Sequence, residues 1–454
     1  MAKRSKPKNS PGRPLYLRRL QVQNARCFKD IDVDFMRKRS PRMRTIIVGD
    51  NGSGKTSLLR AIAIGMCQQR EASALMSDLA GDFVRRNKRG NYADRAVIDL
   101  SFLDPNDPGA ELRITTEVER GAAGQETVHT RTTPDAFPWH RVFVGGYGVN
   151  RGARHREVRQ GYARVDALRS LFSDDTPLLD PEGTLRAIKL ADTESGRDTL
   201  LPATKSHLRH LLRLKSSYEI EVSAREVLIH GPWGAMPFHA LGDGYRGTAG
   251  WVLDLLGMAL AADRLDDIKA VRGVVLIDEI DEHLHPAWQR QVLPLLSKRF
   301  KDLQIVGTTH SAMTIVECEA DELIACRLKN AVADTYQNLP DPEGRSADDI
   351  LRGEWFGLAS TLDERTQKLM QQYQRAIEAG KGETVVAPLR EKLRDRLGRT
   401  FDSPIDELAI EIAAELRKQN RGAVSPDERR AVVEKGVQAL RARLAAHASK
   451  RGKK

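Results

Sequence analysis

Residues 48–57 read VGDNGSGKTS, in which Gly49, Gly54, Lys55 and Thr56 satisfy the spacing G-x-x-x-x-G-K-[ST]. Such a run can curl its backbone until successive N–H groups point inward at an anion, with a helix start behind them. A lysine at that place reaches β- and γ-phosphates, and a neighbouring threonine hydroxyl can sit on Mg2+. The loop of Gly49, Asp50, Asn51, Gly52, Ser53, Gly54, Lys55, Thr56 and Ser57 is therefore expected to hold the phosphates of a nucleotide, ATP. Its flanks agree. TIIV (45–48) is an apolar, β-branched run, and LLRAIAIGM (58–66) follows at helical spacing, so strand, loop and helix come in the required order.

A phosphate cradle binds; hydrolysis also needs a carboxylate for the metal and a group that orients water. VVLIDEIDEHLHP (274–286) offers both at the end of an apolar strand. Asp278 is expected to hold Mg2+ together with Thr56, and Glu279 to polarise the attacking water. The next apolar strand ends in GTTHS, where His310 can approach the γ-phosphate. Lys55, Glu279 and His310 are thus the expected catalytic set. His283 and His285 do not form H-E-x-x-H, and no zinc site is expected there.

These groups need elements to position them. LYLRRLQVQNARCFKDIDVDF (15–35) alternates apolar and polar residues in two runs, which predicts two strands, with Asp30, Asp32 and Asp34 on an exposed face. AVIDLSFLD and ELRITTEVE, joined by PNDPG, predict a hairpin. WHRVFVGGYGVNRG (139–152) predicts a buried strand entering a glycine-rich loop, with mostly helix over 153–215 and strands again over 219–241. From 242 the pattern is helix, strand, helix, strand, as in a parallel sheet with crossover helices. Beyond about 335 the strands stop. Helix N-caps are expected at Ser346, Thr361, Ser403 and Ser425, each with an acid three residues on. The expected organisation is a basic tail (1–14), a first lobe (15–135), a helix-and-strand insert (136–235), a second lobe (236–335) and a helical region (336–454) ending in a basic tail.

Composition bounds the class. The chain has 454 residues, 40% hydrophobic and 30% charged, as in a globular protein with a proper core. No run approaches the ~18 apolar residues of a membrane span, and the N-terminus leads into no apolar signal core, so a cytoplasmic location is expected. Cys27, Cys67, Cys318 and Cys326 form no C-x-x-C and are expected as small buried hydrophobes. The net charge of +11 gathers in the N-terminal tail, in 37–44, 85–89 and 151–159, and at the C-terminus, which makes nucleic acid a candidate partner.

The order NARCF, GDNGSGKTS, LGDGYRG, VVLIDEIDEHLHP, GTTHS resembles the ABC-type ATPases of the RecF/SMC/OLD branch over residues 15–330. That resemblance implies an α/β, two-lobed P-loop ATPase with a mixed sheet, a helical insert and an all-helical C-terminal region. It also implies a head-to-tail homodimer, in which each ATP is closed by a signature loop from the other subunit. LGDGYRG (241–247) then corresponds to the signature, with Gly244 kept, Gly242 in place of the usual serine and Tyr245 in place of the glutamine. Arg26, with Asn24, matches an element that lines the nucleotide; a strand-edge role is the alternative. His285 stands where such families often carry an aspartate, and no Q-loop glutamine is found.

Long coiled coils are not expected between Lys55 and Asp278, where Gly and Pro are frequent and heptads absent. The helical C-terminal region offers no carboxylate set for a Toprim nuclease, and no N-K-x-D motif follows the loop as in small GTPases. YGVNR (147–151) and EWFGL (354–358) resemble Septu-type and retron-associated defence ATPases. Three readings stand: an ATP-gated dimer in phage defence with a separately encoded effector such as a nuclease; a RecF-like repair clamp on duplex DNA; and a nucleotide-gated scaffold with negligible turnover.

Overall fold

The computed structural model describes residues 13–79, 81–151, 155–157, 161–196, 198–265, 271–358 and 360–397. The N-caps expected at Ser403 and Ser425 lie outside them. One compact unit runs to Gly357 and a second begins at Leu358. This division falls later than the expected start of the helical region at 336, because the short helix Ala347–Arg352 packs into the first unit through buried Ile350.

The first unit is organised by an eleven-stranded mixed sheet. In chain order its strands are β1 (Tyr16–Ala25), β2 (Phe28–Asp34), β3 (Arg44–Val48), β4 (Arg95–Leu103), β5 (Leu112–Arg120), β6 (Glu126–Thr133), β7 (Val144–Tyr147), β8 (Gly273–Ile277), β9 (Leu303–Thr308), β10 (Leu323–Lys329) and β11 (Val332–Tyr336). Across the sheet the order is β6-β5-β4-β1-β2-β11-β10-β3-β9-β8-β7. Strands β6 to β2 are antiparallel, with β6 an addition to the expected hairpin. Strands β10, β3, β9, β8 and β7 are parallel.

The continuous apolar runs TIIV and VVLI fit strands buried on both faces of this sheet, with alternate residues entering opposite cores. Ile46 and Val48, like Val275 and Ile277, enter one apolar core, while Ile47, Val274 and Leu276 enter the other. Helix α1 (Lys55–Gly65) covers the second face, burying Leu58, Leu59 and Ile62 against β1, β4 and β5 residues. The first face is covered by α2 (Pro181–Ser195), α3 (Leu200–Leu211), α4 (Asp243–Ala261) and α5 (Pro286–Arg299). A three-stranded sheet over 219–237 packs Ile220, Val227 and Ile229 into the same core.

Buried Gln304 fastens the parallel strands to the antiparallel ones. Its Oε1 accepts from the Leu17 N–H at 2.7 Å, and its Nε2 donates to the Leu17 and Arg42 carbonyls. With those partners its desolvation is compensated. Among the described residues no helix is long and apolar enough to cross a membrane.

In the second unit α6 (Glu364–Glu378) and α7 (Glu383–Leu397) pack through Tyr373, Ala376, Val386 and Leu393. Asp363, rather than Thr361, caps α6, accepting from the Arg365 and Thr366 N–H groups at 3.1 and 3.0 Å. The box at Ser346 forms as expected, with Asp349 reciprocating.

Candidate functional site

Strands β7, β8, β9 and β3 run parallel side by side, so their carboxyl ends meet at one rim, the place where open α/β sheets bind ligands. The VGDNGSGKTS loop leaves β3 there. Gly49 turns at φ +142°, and a Cβ on it would lie 2.2 Å from the Cys326 carbonyl oxygen, so only glycine lets the loop pass β10. Gly54 caps α1, and Lys55 is its first residue. Buried Lys55 donates to the Gly49 and Asp50 carbonyls, both at 2.9 Å. Burial holds its pKa below the ordinary lysine value.

The Thr56 hydroxyl donates to Asp278 Oδ2 at 2.7 Å, and Thr308 donates to Asp278 Oδ1 at 2.6 Å. Asp278 is itself anchored through its N–H to the Tyr147 carbonyl at 2.8 Å. Thr308 does double duty, since its oxygen accepts the Glu279 N–H at 2.7 Å. Glu279 adopts φ +47°. Its carboxylate lies 3.8 Å from His310 Nε2. Burial and the Lys55 charge hold the His310 pKa below the usual value, which favours the neutral imidazole.

Arg26, Asn51, Gly52, Gly54, Lys55, Thr56, Ser57, Glu279 and His310 line one cleft of about 310 Å³. Asp278 stands behind Thr56. Arg26 takes φ +53° in the turn between β1 and β2, with Asn24 at +51°, and its N–H donates to the Phe83 carbonyl. It thus serves the strand turn and faces the cleft. Hard oxygen donors from Thr56 and Asp278 within hydrogen-bond distance of each other suit Mg2+, which keeps waters and takes the remaining oxygens from phosphate.

Gly244 is not among the residues lining this cleft. It lies in the first turn of α4, where a Cβ would meet the His283 carbonyl at 2.6 Å, and the Tyr245 ring packs tilted against Trp288 with centroids 4.9 Å apart. His285 caps α5 by accepting the Ala287 N–H at 3.3 Å.

Several site residues lie outside the sequence-based set. Thr308 was legible only as part of GTTHS. Asp281 is buried and accepts from Thr309 and Thr314, tying the segment after Glu279 to the end of β9. Arg151 donates through Nη2 to the Glu279 carbonyl. The basic clusters are partly consumed within the fold: Arg37 pairs with Glu319 and Asp321, and Arg44 grips Glu322 through two bonds of 2.6 and 2.7 Å. Arg156 lies 3.6 Å from Asp166. The basic C-terminal tail, and the N-terminal one up to residue 12, lie outside the described residues.

Fold and site have the parts of a P-loop ATPase: a glycine loop opening a helix, a carboxylate pair at a strand end, and a parallel sheet that joins them. Two family models match, "AAA domain" over residues 19–134 and "AAA domain, putative AbiEii toxin, Type IV TA system" over 233–317. The chain is similar to a Septu protein PtuA of Bacillus mycoides (strain KBAB4), 23% identical over 78% of this chain and 46% of that protein. It thus spans under half the length of that relative. It is also similar to the Retron Ec83 probable ATPase of Escherichia coli, 23% identical over 91% of this chain and 88% of that one. Among solved structures, an SMC head bound to the C-winged helix domain of ScpA aligns with TM-score 0.46 at 16% identity, over 71% of this chain and 97% of that one.

Proposed function

We propose that this protein binds and hydrolyses ATP with Mg2+, and that ATP gates a dimer which controls a separately encoded defence effector. The observation that carries the hydrolytic part is the linked set Thr56–Asp278–Thr308–Glu279, three side chains and the Glu279 N–H from three segments held at the mouth of a phosphate loop. Bound Mg2+ would supply charge neutralisation on the phosphates. Lys55 exchanges its two loop carbonyls for phosphate oxygens. Glu279, its backbone fixed by Thr308, holds the attacking water and accepts its proton. Neutral His310 can donate a hydrogen bond toward the γ-phosphate or water without adding a charge beside Lys55.

Similarity to Septu and retron proteins supports the defence setting. Dimer gating is supported by the position of Gly244. It belongs to a signature-like turn yet lies off its own chain's cleft, which suits closure by a second copy. The test is steady-state ATP turnover of the purified protein, with and without duplex DNA, against Glu279→Gln. Turnover indifferent to DNA agrees with a partner-gated switch; strong stimulation by DNA favours a clamp on duplex DNA instead. ATP-dependent dimerisation of Glu279→Gln in gel filtration tests the gate, and a monomer under saturating ATP would sink it.

A further inference from the structure

Resting on the reading of this centre as an ATPase, we propose that Arg151 is a positioning residue that fixes Glu279 for attack. Arg151 lies four residues beyond the end of β7, which pairs parallel with β8, the strand that Asp278 and Glu279 follow. Its Nη2 donates to the Glu279 carbonyl. Its Nη1 is closed off from solvent and has no hydrogen-bond partner. Four carboxylates, those of Glu282, Asp278, Asp281 and Glu279, act on this guanidinium.

The geometry gives that cation a specific job. Glu279 sits at φ +47°, a conformation that a non-glycine residue keeps only when its surroundings hold it. Thr308 holds its N–H and Arg151 holds its carbonyl, so both ends of the residue are clamped while the carboxylate lines the cleft. Arg151 does not itself line the cleft, so it acts through Glu279. A guanidinium also offsets the mutual repulsion of the surrounding carboxylates. The Arg151 carbonyl lies 3.9 Å from where a Cβ on Gly247 would stand, so the clamp also abuts the start of α4 and its signature-like turn.

The test is a double-mutant cycle on the full chain: wild type, Arg151→Ala, Glu279→Gln and the pair, read as single-turnover rate, equilibrium ATP affinity and melting temperature. The expected result is that Arg151→Ala slows turnover by about 30-fold or more while ATP affinity stays within about 3-fold. In the Glu279→Gln background the same change costs less than about 3-fold, because the group it positions is gone. Arg151→Lys, which keeps the charge and loses the fork, recovers part of the rate and serves in the same cycle if the alanine variant does not fold. Equal slowing in both backgrounds, or loss of affinity matching loss of rate, overturns the proposal. A wild type that binds ATP without turning it over defeats the hydrolytic reading first, and this inference with it; that failure shows in the wild type alone.

Discussion

Thr56 and Asp278, 222 positions apart in the chain, meet through a hydrogen bond of 2.7 Å, and the other oxygen of Asp278 is held by Thr308. A helix start and a strand end thereby bring two hard oxygen donors side by side, the kind of donors that Mg2+ takes. Asp278→Asn keeps the shape and removes the charge. The gain in ATP affinity on adding Mg2+ should fall by about tenfold or more in this variant, measured by nucleotide titration with Mg2+ and with chelator. An unchanged Mg2+ effect would remove Asp278 from the metal site.

Lys55 spends its hydrogen bonds on two loop carbonyls, and under the proposed function it would exchange them for phosphate oxygens. Lys55→Ala should weaken ATP binding by about 100-fold while the melting temperature changes by only a few degrees, because removal of a partly desolvated ammonium offsets the lost bonds. Calorimetric titration and a thermal melt check both. A melt that collapses together with the affinity would mean that the lysine is chiefly structural.

Gly244 has no room for a side chain, since a Cβ would lie 2.6 Å from the His283 carbonyl oxygen. Gly244→Ala must push the start of α4 away from that loop, at a cost of about 1–3 kcal/mol. ATP affinity of the monomer should be unaffected, because the residue does not line the cleft. ATP-dependent dimerisation should be lost, and sedimentation with and without ATP distinguishes the two effects.

Asp254 gives a pH signature. It lies in α4, buried, accepting from the Tyr147 hydroxyl at 3.0 Å and the Leu179 N–H at 2.7 Å. Burial raises its pKa from 3.8 to about 6, against the opposing pull of those hydrogen bonds. The folded state therefore binds its proton more tightly than the unfolded state does. Wild-type stability loses a contribution as pH rises from about 4 through about 6, and the penalty is complete above that, at most about 3 kcal/mol. Asp254→Asn should be more stable than wild type at pH 8 and equal to it near pH 4, as read by urea unfolding at the two pH values. An identical difference at both would rule out this titration.

Much of the local geometry at the candidate site was written in contiguous residues. VGDNGSGKTS could be read because a phosphate nest is made by neighbouring peptides, and glycines with a following lysine are enough to specify it. The same holds for Asp278 and Glu279 at a strand end, and for the box at Ser346, where the capping partner is three residues away. The cap of α6 slipped from Thr361 to Asp363 because both residues offer an acceptor and only the packed position of the helix chooses between them.

The tertiary structure alone decided which segments share the rim. Thr308 serves both Asp278 and Glu279 because β9 lies beside β8, and Arg151 reaches Glu279 because β7 lies on its other side. Nothing local in GTTHS or YGVNR carries that pairing. It also spent Arg37 and Arg44 on Glu319, Asp321 and Glu322, although RKRSPRMR is one of the basic clusters that together make nucleic acid a candidate partner. Local backbone chemistry can be deduced from residue type and spacing, whereas strand neighbours and charge partners are set by how apolar faces fit together across hundreds of residues. That fit is a property of the whole core and of no single stretch of it.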